Sequence, residues 1–291
     1  MARIARAPAG SRRQPPLPEV AGALKSSVEL LGVRLDPLSH VEALDRIEEF
    51  VEQRVPRQVV TVNLDFLRIA ASSGEFKATL NQADLALADG MPLVWASRTG
   101  GAGLPQRIAG IDLVEAICAR GDREGWSVFL LGAAPGVAEA AGREMARRHP
   151  NLRIAGTYSP PHGVWDQDEE TYICDFIRFC RPDVLLVALG APRQDVWIRD
   201  HIEELGVPVS IGVGCTLDVL SGGTPRAPRW MRRTGLEWFY RLSIEPGRLW
   251  KRYLLDLPLF AHLLLLAARD RLTGRNTRRT VLPNSLQGGA P

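Results

Sequence analysis

The chain has 291 residues, 45% of them hydrophobic and 24% charged, and its 36 basic and 33 acidic side chains leave a formal net charge of +3. That balance excludes a wholly disordered chain and allows one large core, with or without an appendage. It also excludes a disulfide scaffold. The four cysteines, Cys118, Cys174, Cys180 and Cys215, lack CxxC or metal-ligand spacing, which reads as reduced thiols in a cytosolic protein.

Residues 1–27 are rich in Ala, Pro and Arg, with Arg3, Arg6, Arg12 and Arg13 near Pro15, Pro16 and Pro18. No apolar run of signal-peptide length follows these charges, so the segment is expected to be a disordered basic tail. Val28–Leu35 reads as one strand. Ser39 then caps a helix over 40–54, with Val41, Leu44, Ile47, Phe50 and Val51 at helical spacing. A second strand over 58–62 runs into Thr61-Val62-Asn63, followed by helices ending near Ala71 and over 76–82.

The next stretch, Ala83–Pro92, reads as a short buried strand that stops at Asp89-Gly90. Gly90 permits a bend there, and Pro92 suits the first turn of a helix over 91–98. Asp89 thus falls at the carboxyl end of a strand, where open α/β sheets keep ligand-handling groups. The same position also suits a plain cap for the following helix, and both readings stand at this point. After a glycine-rich turn at 100–103, residues 104–112 read as a loop bearing Arg107, and 113–120 as a helix.

The second half alternates more clearly. Strands are expected over 127–131, 152–157, 183–189 and 207–213, and helices over 137–148, 169–180 and 194–205. This alternation predicts an α/β fold, a mostly parallel sheet with helices on both faces. Two of its loops, Gly132–Gly136 and Gly190–Gln194, put small residues before a helix, where a phosphate can approach backbone amides. Tight turns need glycine anyway, so that reading stays open. Neither loop is GxGxxG or GxxxxGK[ST], which argues against dinucleotide and Walker-type sites. Gly212-Val-Gly214 ends a third strand with Asp218 just beyond, a candidate for ribose hydroxyls or for a cap. No DxD pair ends a strand, and His40, His149, His162, His201 and His262 are dispersed. No cofactor is expected from these residues, and a metal is not needed if cationic side chains and helix termini neutralise the charge of a diphosphate leaving group.

From Gly222 the composition changes. Arg226, Arg229, Arg232, Arg233, Arg241, Arg248, Lys251 and Arg252 alternate with Trp230, Trp238, Phe239, Tyr240, Trp250 and Tyr253. The apolar run over 254–268 is broken by Asp256, Pro258 and His262, and it is short of the ~20 residues that span a bilayer. A helix lying in the membrane interface is expected, with a helical hairpin packed on the core as the alternative. No nucleic-acid motif accompanies the basic and aromatic mixture.

Several short motifs follow one another in a single order. They are Thr61-x-Asn63, Ala88-Asp89-Gly90-Met91-Pro92, Arg107-x-x-Gly110-x-Asp112, Gly190-x-Pro192-x-Gln194, and Gly212-Val-Gly214 with Asp218. Arg226-Ala-Pro228-x-Trp230, Gly235-Leu-Glu-Trp238, Tyr240-Arg241-Leu242 and Glu245-Pro246 with Arg248 come next. From about Val28 to Pro258 this pattern strongly resembles the WecG/TagA/CpsF family of bacterial glycosyltransferases. The resemblance implies a Rossmann-like core and metal-independent, inverting transfer from a UDP-sugar donor to a polyprenyl-diphosphate-linked sugar acceptor, at the inner face of the cytoplasmic membrane. N-acetylmannosamine, its uronic acid and glucose remain open as the sugar.

Carried over by position, Asp89 matches the proposed general base, and Thr61 and Asn63 a polar pair in the same pocket. Arg107 and Gln194 match residues around the donor or its phosphates, and Asp218 a nucleotide-contacting aspartate. Gly132 and Gly190, in the two loops that a phosphate can approach, are counted with the candidate substrate-binding residues. Arg241 and Arg248, with Lys251 or Arg252, match cations that meet the diphosphate. Cys215 and Leu217 depart from the pattern, which usually has a glycine and an aromatic residue there. The expected division is a tail over 1–27, a glycosyltransferase core over 28–221, a membrane-associating helical appendage over 222–272 and a disordered tail over 273–291. Two rival readings are another Rossmann-like nucleotide-dependent enzyme and a non-catalytic membrane adaptor that only binds a nucleotide-sugar.

Overall fold

The computed structural model describes residues 27–98, 103–161, 163–234 and 237–273. The tails expected over 1–27 and 273–291 lie almost wholly outside the described residues, as does most of the glycine-rich turn at 100–103.

The first strand expectation needs correction. Val28–Leu35 is a hairpin, β1 (Val28–Leu30) paired antiparallel with β2 (Val33–Leu35). Leu31 and Gly32 both take positive φ, 55° and 78°, the geometry of a tight two-residue hairpin turn. Alternating apolar residues on either side of a Gly hide such a turn inside what looks like a continuous strand.

Helix α1 (His40–Gln53) opens with a reciprocal capping box between Ser39 and Glu42. Then follow β3 (Arg57–Val62), α2 (Leu64–Ser72), α3 (Gly74–Gln82), β4 (Leu85–Ala88) and α4 (Met91–Ser97). Helix α5 (Gly110–Glu124) begins inside the stretch expected to be a loop. The alternation continues through β5 (Ser127–Gly132), α6 (Val137–Arg148), β6 (Arg153–Tyr158), α7 (Gln167–Cys180), β7 (Val184–Ala188), α8 (Arg193–Leu205) and β8 (Val209–Gly212). Short α9 (Thr216–Leu220) leads to α10 (Arg229–Thr234), α11 (Glu237–Ile244) and α12 (Pro246–Thr273).

The main sheet has six strands in the order β4-β3-β8-β7-β5-β6, and every described pairing within it is parallel. Strands β4, β5 and β7 read as apolar runs because both faces are buried, whereas the edge strand β6 is only partly buried. Val59, Leu85, Leu87, Val128 and Leu130 face α1, α5 and α6, whereas Val60, Val62, Ala86 and Ala88 meet the hairpin and α2–α4. Farther along that second face, Phe129, Leu131, Leu185 and Val187 pack under α7 and α8. Between these two packed regions runs a polar seam under the first turn of α8. It consists of Gln58 on β3, Ser210 opposite it on β8, and the buried Gln194 and Asp195.

Helix α12 packs on α2 and α4, and Leu263 joins the core formed by the hairpin and α2–α4. Asp256 is buried in an ion pair with Arg68 of α2, and the Phe260 ring lies 6.3 Å from that of Trp95 on α4. Leu254, Leu255, Leu257, Leu264 and Leu265 remain exposed. The segment is thus a helix packed on the core that also leaves these leucines uncovered. Among the described residues no helix is long and apolar enough to cross a membrane.

Candidate active site

The parallel register sets Thr61 beside Leu87 and Val62 beside Ala88, so β3 and β4 end side by side. Asp89 follows β4, and its N–H donates to the Val62 carbonyl at 2.7 Å. Its side chain does not cap α4, whose N-terminus has no side-chain cap. Nor does the bend rest on left-handed backbone, since Gly90 is extended with φ 163°. Instead Asp89 Oδ2 accepts from Gly110 N–H at 3.1 Å, the first residue of α5. Ala109 stands at the cap position of α5 and offers no oxygen, so a carboxylate 21 residues away takes that place. An anion there is stabilised by the free amides and the helix dipole, by about 0.3–2 kcal/mol.

Thr61 shares the spot. A Cβ on Gly110 would lie 3.4 Å from Thr61 Oγ1 and 3.8 Å from Asp89 Oδ2. Asn63 is one step away, where its Oδ1 caps α2 by accepting from Phe66 N–H at 3.1 Å. Surrounding protein strips water from Asp89 and raises its pKa above the usual carboxylate value. The Gly110 amide and the charges of Arg107 and Arg241 work against that shift, and Glu237 adds to it.

Two cations face this carboxylate from different parts of the chain. Arg107, in the loop before α5, donates from Nη1 to Glu237 Oε2 at 3.0 Å and lies 3.9 Å from Asp112. Arg241, on α11, donates to Cys215 Sγ at 3.3 Å and stands 3.9 Å from Glu237 Oε1. Burial alone would lower the pKa of Arg241. Cys215, Glu237 and Asp89 more than offset it, so the guanidinium stays charged. The segment leading into α11 is joined to α5 by further ion pairs. Arg226 binds both Asp112 and Glu115, and Arg232 lies 3.4 Å from Asp112.

Gln194 lies between the two glycine loops. It is 2% exposed, and its Oε1 accepts from Gly190 N–H at 3.2 Å and from Gly214 N–H at 3.0 Å. Its amide oxygen is thereby engaged in tying the loop after β7 to the loop after β8. Gly212 has to be glycine for this to work, because a Cβ would come within 2.5 Å of Gln194 Nε2 and Asp195 Oδ1. Gly132 likewise has a packing reason. Its φ is 103°, and a Cβ would meet the Ala188 carbonyl at 2.6 Å.

Asp218 lies in the first turn of α9, half-buried, with its carbonyl accepting from Thr224 N–H and Ser221 Oγ. Lys251 is exposed with its ammonium 5.7 Å from the centre of the Trp250 ring. The side chains of Arg248 and Arg252 lie outside the described residues. The structure therefore brings together Thr61, Asp89, Arg107 and Arg241, and places Gln194 in the support of the glycine loops.

Residue-type reasoning assigned no part to Glu237 or Gly110, although both stand inside motifs singled out above. The signal was position within those motifs, since neither residue type is unusual alone. Cys174, His201 and Glu204 also converge, their ligand atoms within 4.8 Å of one another between α7 and α8. His201 and Glu204 sit in the second half of α8, the end remote from the strand termini that carry Asp89.

Two comparisons bear on this arrangement. A model of the glycosyl transferase WecG/TagA/CpsF family matches residues 28–275. A protein of Bacillus subtilis (strain 168) is 32% identical over 231 residues, 79% of this chain and 88% of its own length. One of Staphylococcus aureus (strain NCTC 8325 / PS 47) is 32% identical over 248 residues, 84% of this chain and 94% of its own. Both are named N-acetylglucosaminyldiphosphoundecaprenol N-acetyl-beta-D-mannosaminyltransferase. With a carboxylate at the rim of a parallel sheet, two arginines facing it, and this match over most of its length, the chain belongs to the glycosyl transferase WecG/TagA/CpsF family.

Proposed function

We propose that this chain transfers a hexosamine, N-acetylmannosamine in the first instance, from a UDP-sugar to an N-acetylglucosamine carried on undecaprenyl diphosphate. The acceptor and the sugar come from the names of the relatives. N-acetylmannosaminuronate and glucose are the donor alternatives. The observation that carries the reading is the meeting of Asp89 with Arg107 and Arg241 at one end of the sheet.

In this reading Asp89 accepts the proton of an acceptor hydroxyl as its oxygen attacks the anomeric carbon. The bond from that carbon to the diphosphate oxygen breaks, and UDP leaves with the electron pair. Attack opposite the leaving group inverts the centre. Arg107 and Arg241 neutralise the charge that grows on the diphosphate, as fixed guanidinium groups do without reorganising. A raised pKa suits Asp89 to this work, because a carboxylate that holds a proton more readily is the stronger base. The loops tied by Gln194, with Asp218 beyond them, frame the nucleotide side. The exposed leucines of α12 and the basic residues near them rest on the anionic inner face of the cytoplasmic membrane.

The test is an assay of Asp89→Asn for sugar transfer and for UDP binding. Transfer should fall by about 10²-fold or more, the usual scale for a lost general base, while UDP affinity stays within about threefold. Near-normal turnover would sink the base role. For the membrane part, binding to anionic vesicles should weaken as salt rises. Full activity on lipid-linked acceptor with no vesicle binding at any salt concentration would retire it.

A further inference from the structure

Glu237 is the one acidic group that α11 brings to the Asp89 cluster. It is 6% exposed, yet it lies against charge rather than against apolar side chains. Its two oxygens are divided between two cations. Oε2 accepts from Arg107 Nη1 at 3.0 Å, and Oε1 stands 3.9 Å from Arg241 Nη2. These are the two arginines that face Asp89. They come from elements 134 positions apart in the chain, and the Glu237 carboxylate spans them.

A buried ion pair roughly breaks even against apolar packing of the same volume, so anchoring α11 is a poor reason for a carboxylate here. The α10–α11 region has other ties to the core in any case, through Arg226 and Arg232 to Asp112 and Glu115. What a carboxylate between two guanidinium groups does resemble is a phosphate. Both present spread acceptor oxygens and negative charge to the same planar donors.

We propose that Glu237 is an intramolecular rival of the donor's diphosphate. It holds Arg107 and Arg241 side by side as one anion site, and it gives them up when a phosphate anion takes them. The proposal rests on the UDP-sugar reading above for the identity of that anion, and on the ion-pair geometry alone for the competition. Glu237 is thus a positioning residue: it sets how tightly the donor and the UDP product are held, and it touches neither reacting atom. The arithmetic of charge points the same way. The two arginines together match one diphosphate, and a fixed carboxylate between them would repel it at contact distance, so the carboxylate has to move aside.

The experiment is calorimetric titration of the full chain with uridine, UDP and inorganic pyrophosphate, comparing wild type with Glu237→Gln. Glutamine keeps the shape and removes the charge. UDP and pyrophosphate should bind about fivefold tighter or more, with uridine unchanged within about twofold. Glu237→Asp keeps the charge but draws it back from the pair. It should give a smaller tightening of the same sign, and it serves where the glutamine variant fails to fold. Unchanged or weaker pyrophosphate binding in a variant that melts like wild type overturns the proposal. So does a joint loss of uridine, UDP and pyrophosphate binding with a lower melting temperature, which would mean that Glu237 only holds α11 in place. If wild type binds pyrophosphate but neither uridine nor UDP, the donor reading fails, and the pyrophosphate arm still decides the competition.

Discussion

The rim of the sheet and the helical segment after Gly222 hold their side chains by different means. At the rim, side-chain oxygens accept from backbone amides. Asn63 takes Phe66, Asp89 takes Gly110, and Gln194 takes Gly190 and Gly214. Across the second region, side chains bind side chains: Arg107 to Glu237, Arg226 to Asp112 and Glu115, and Arg68 to Asp256. Backbone amides are placed by the sheet and cannot wander, so the rim has one geometry. Guanidinium–carboxylate pairs have long arms and are weakened by salt where they reach solvent, so the second region can adjust. A site assembled from both has a rigid half that orients and a yielding half that can exchange partners.

The largest effect expected is on the rigid half, the loss of transfer in Asp89→Asn described above. If an arginine change such as Arg107→Gln cost more turnover than Asp89→Asn while leaving UDP affinity intact, the division of labour would be reversed. Next in size is Gln194→Ala. It strips the acceptor from two loop amides at once and should cost about 2–3 kcal/mol in urea unfolding. Donor KM should rise as well, because the two loops are no longer tied. A Gln194→Ala chain as stable as wild type would show that the amides find other acceptors and that the rim is less fixed than its contacts imply.

The polar seam beneath the rim gives a pH signature. Burial pushes the Asp195 carboxyl up to about 7, from an ordinary value of 3.8. Between those values the folded chain keeps a proton that the unfolded chain has released. Stability therefore falls as pH rises through that window, by up to about 1.4 kcal/mol per unit from this group. Asp195→Asn removes the contribution. Urea midpoints measured near about pH 5 and about pH 7.5 should differ less in the variant than in wild type. Equal differences would mean that the seam carboxyl is ionised throughout.

The smallest effect belongs to the adjustable half. Arg226→Gln should cost about 1–2 kcal/mol, since its pairs are only partly buried. It should also speed proteolysis within 237–273 while leaving the melting of the core in place. Adding salt to the wild type should mimic the change in part. Proteolysis that begins equally in the core would erase the contrast between the two regions.

Much of the scaffold was legible from spacing. The Val-, Ile- and Leu-rich runs at β5, β7 and β8, each followed after a short loop by a helical pattern, read correctly as buried strands of a parallel sheet. Ser39 read correctly as the cap of a helix, and the reciprocal box with Glu42 appears in the structure. The hairpin at Leu31-Gly32 was missed because its two strands have only three residues each, too few for alternation to break visibly. The start of α5 was missed because its cap is Asp89, which is remote in sequence, while Ala109 gives no local sign. At the site, Asp89, Thr61, Arg107 and Arg241 were named from motif position and do meet. Gln194 stands out by motif position as well, but which loops its oxygen ties is visible only in the fold.

What the chain determines by itself is whatever leaves a periodic mark within a few residues: strands buried on both faces, amphipathic helices, local caps and turns. Such features follow from which neighbours in sequence can hide apolar surface and satisfy their own amides. Which helix Asp89 caps, which loops Gln194 ties, and that Glu237 stands between Arg107 and Arg241 were decided only by the tertiary structure. Arg107 and Glu237 are 130 residues apart, and a hydrogen bond over that interval has no spacing rule. Its partners are set by where the sheet order and the fold of α10 and α11 carry them, and short-range charge and hydrogen bonding act only after packing has brought the groups within reach.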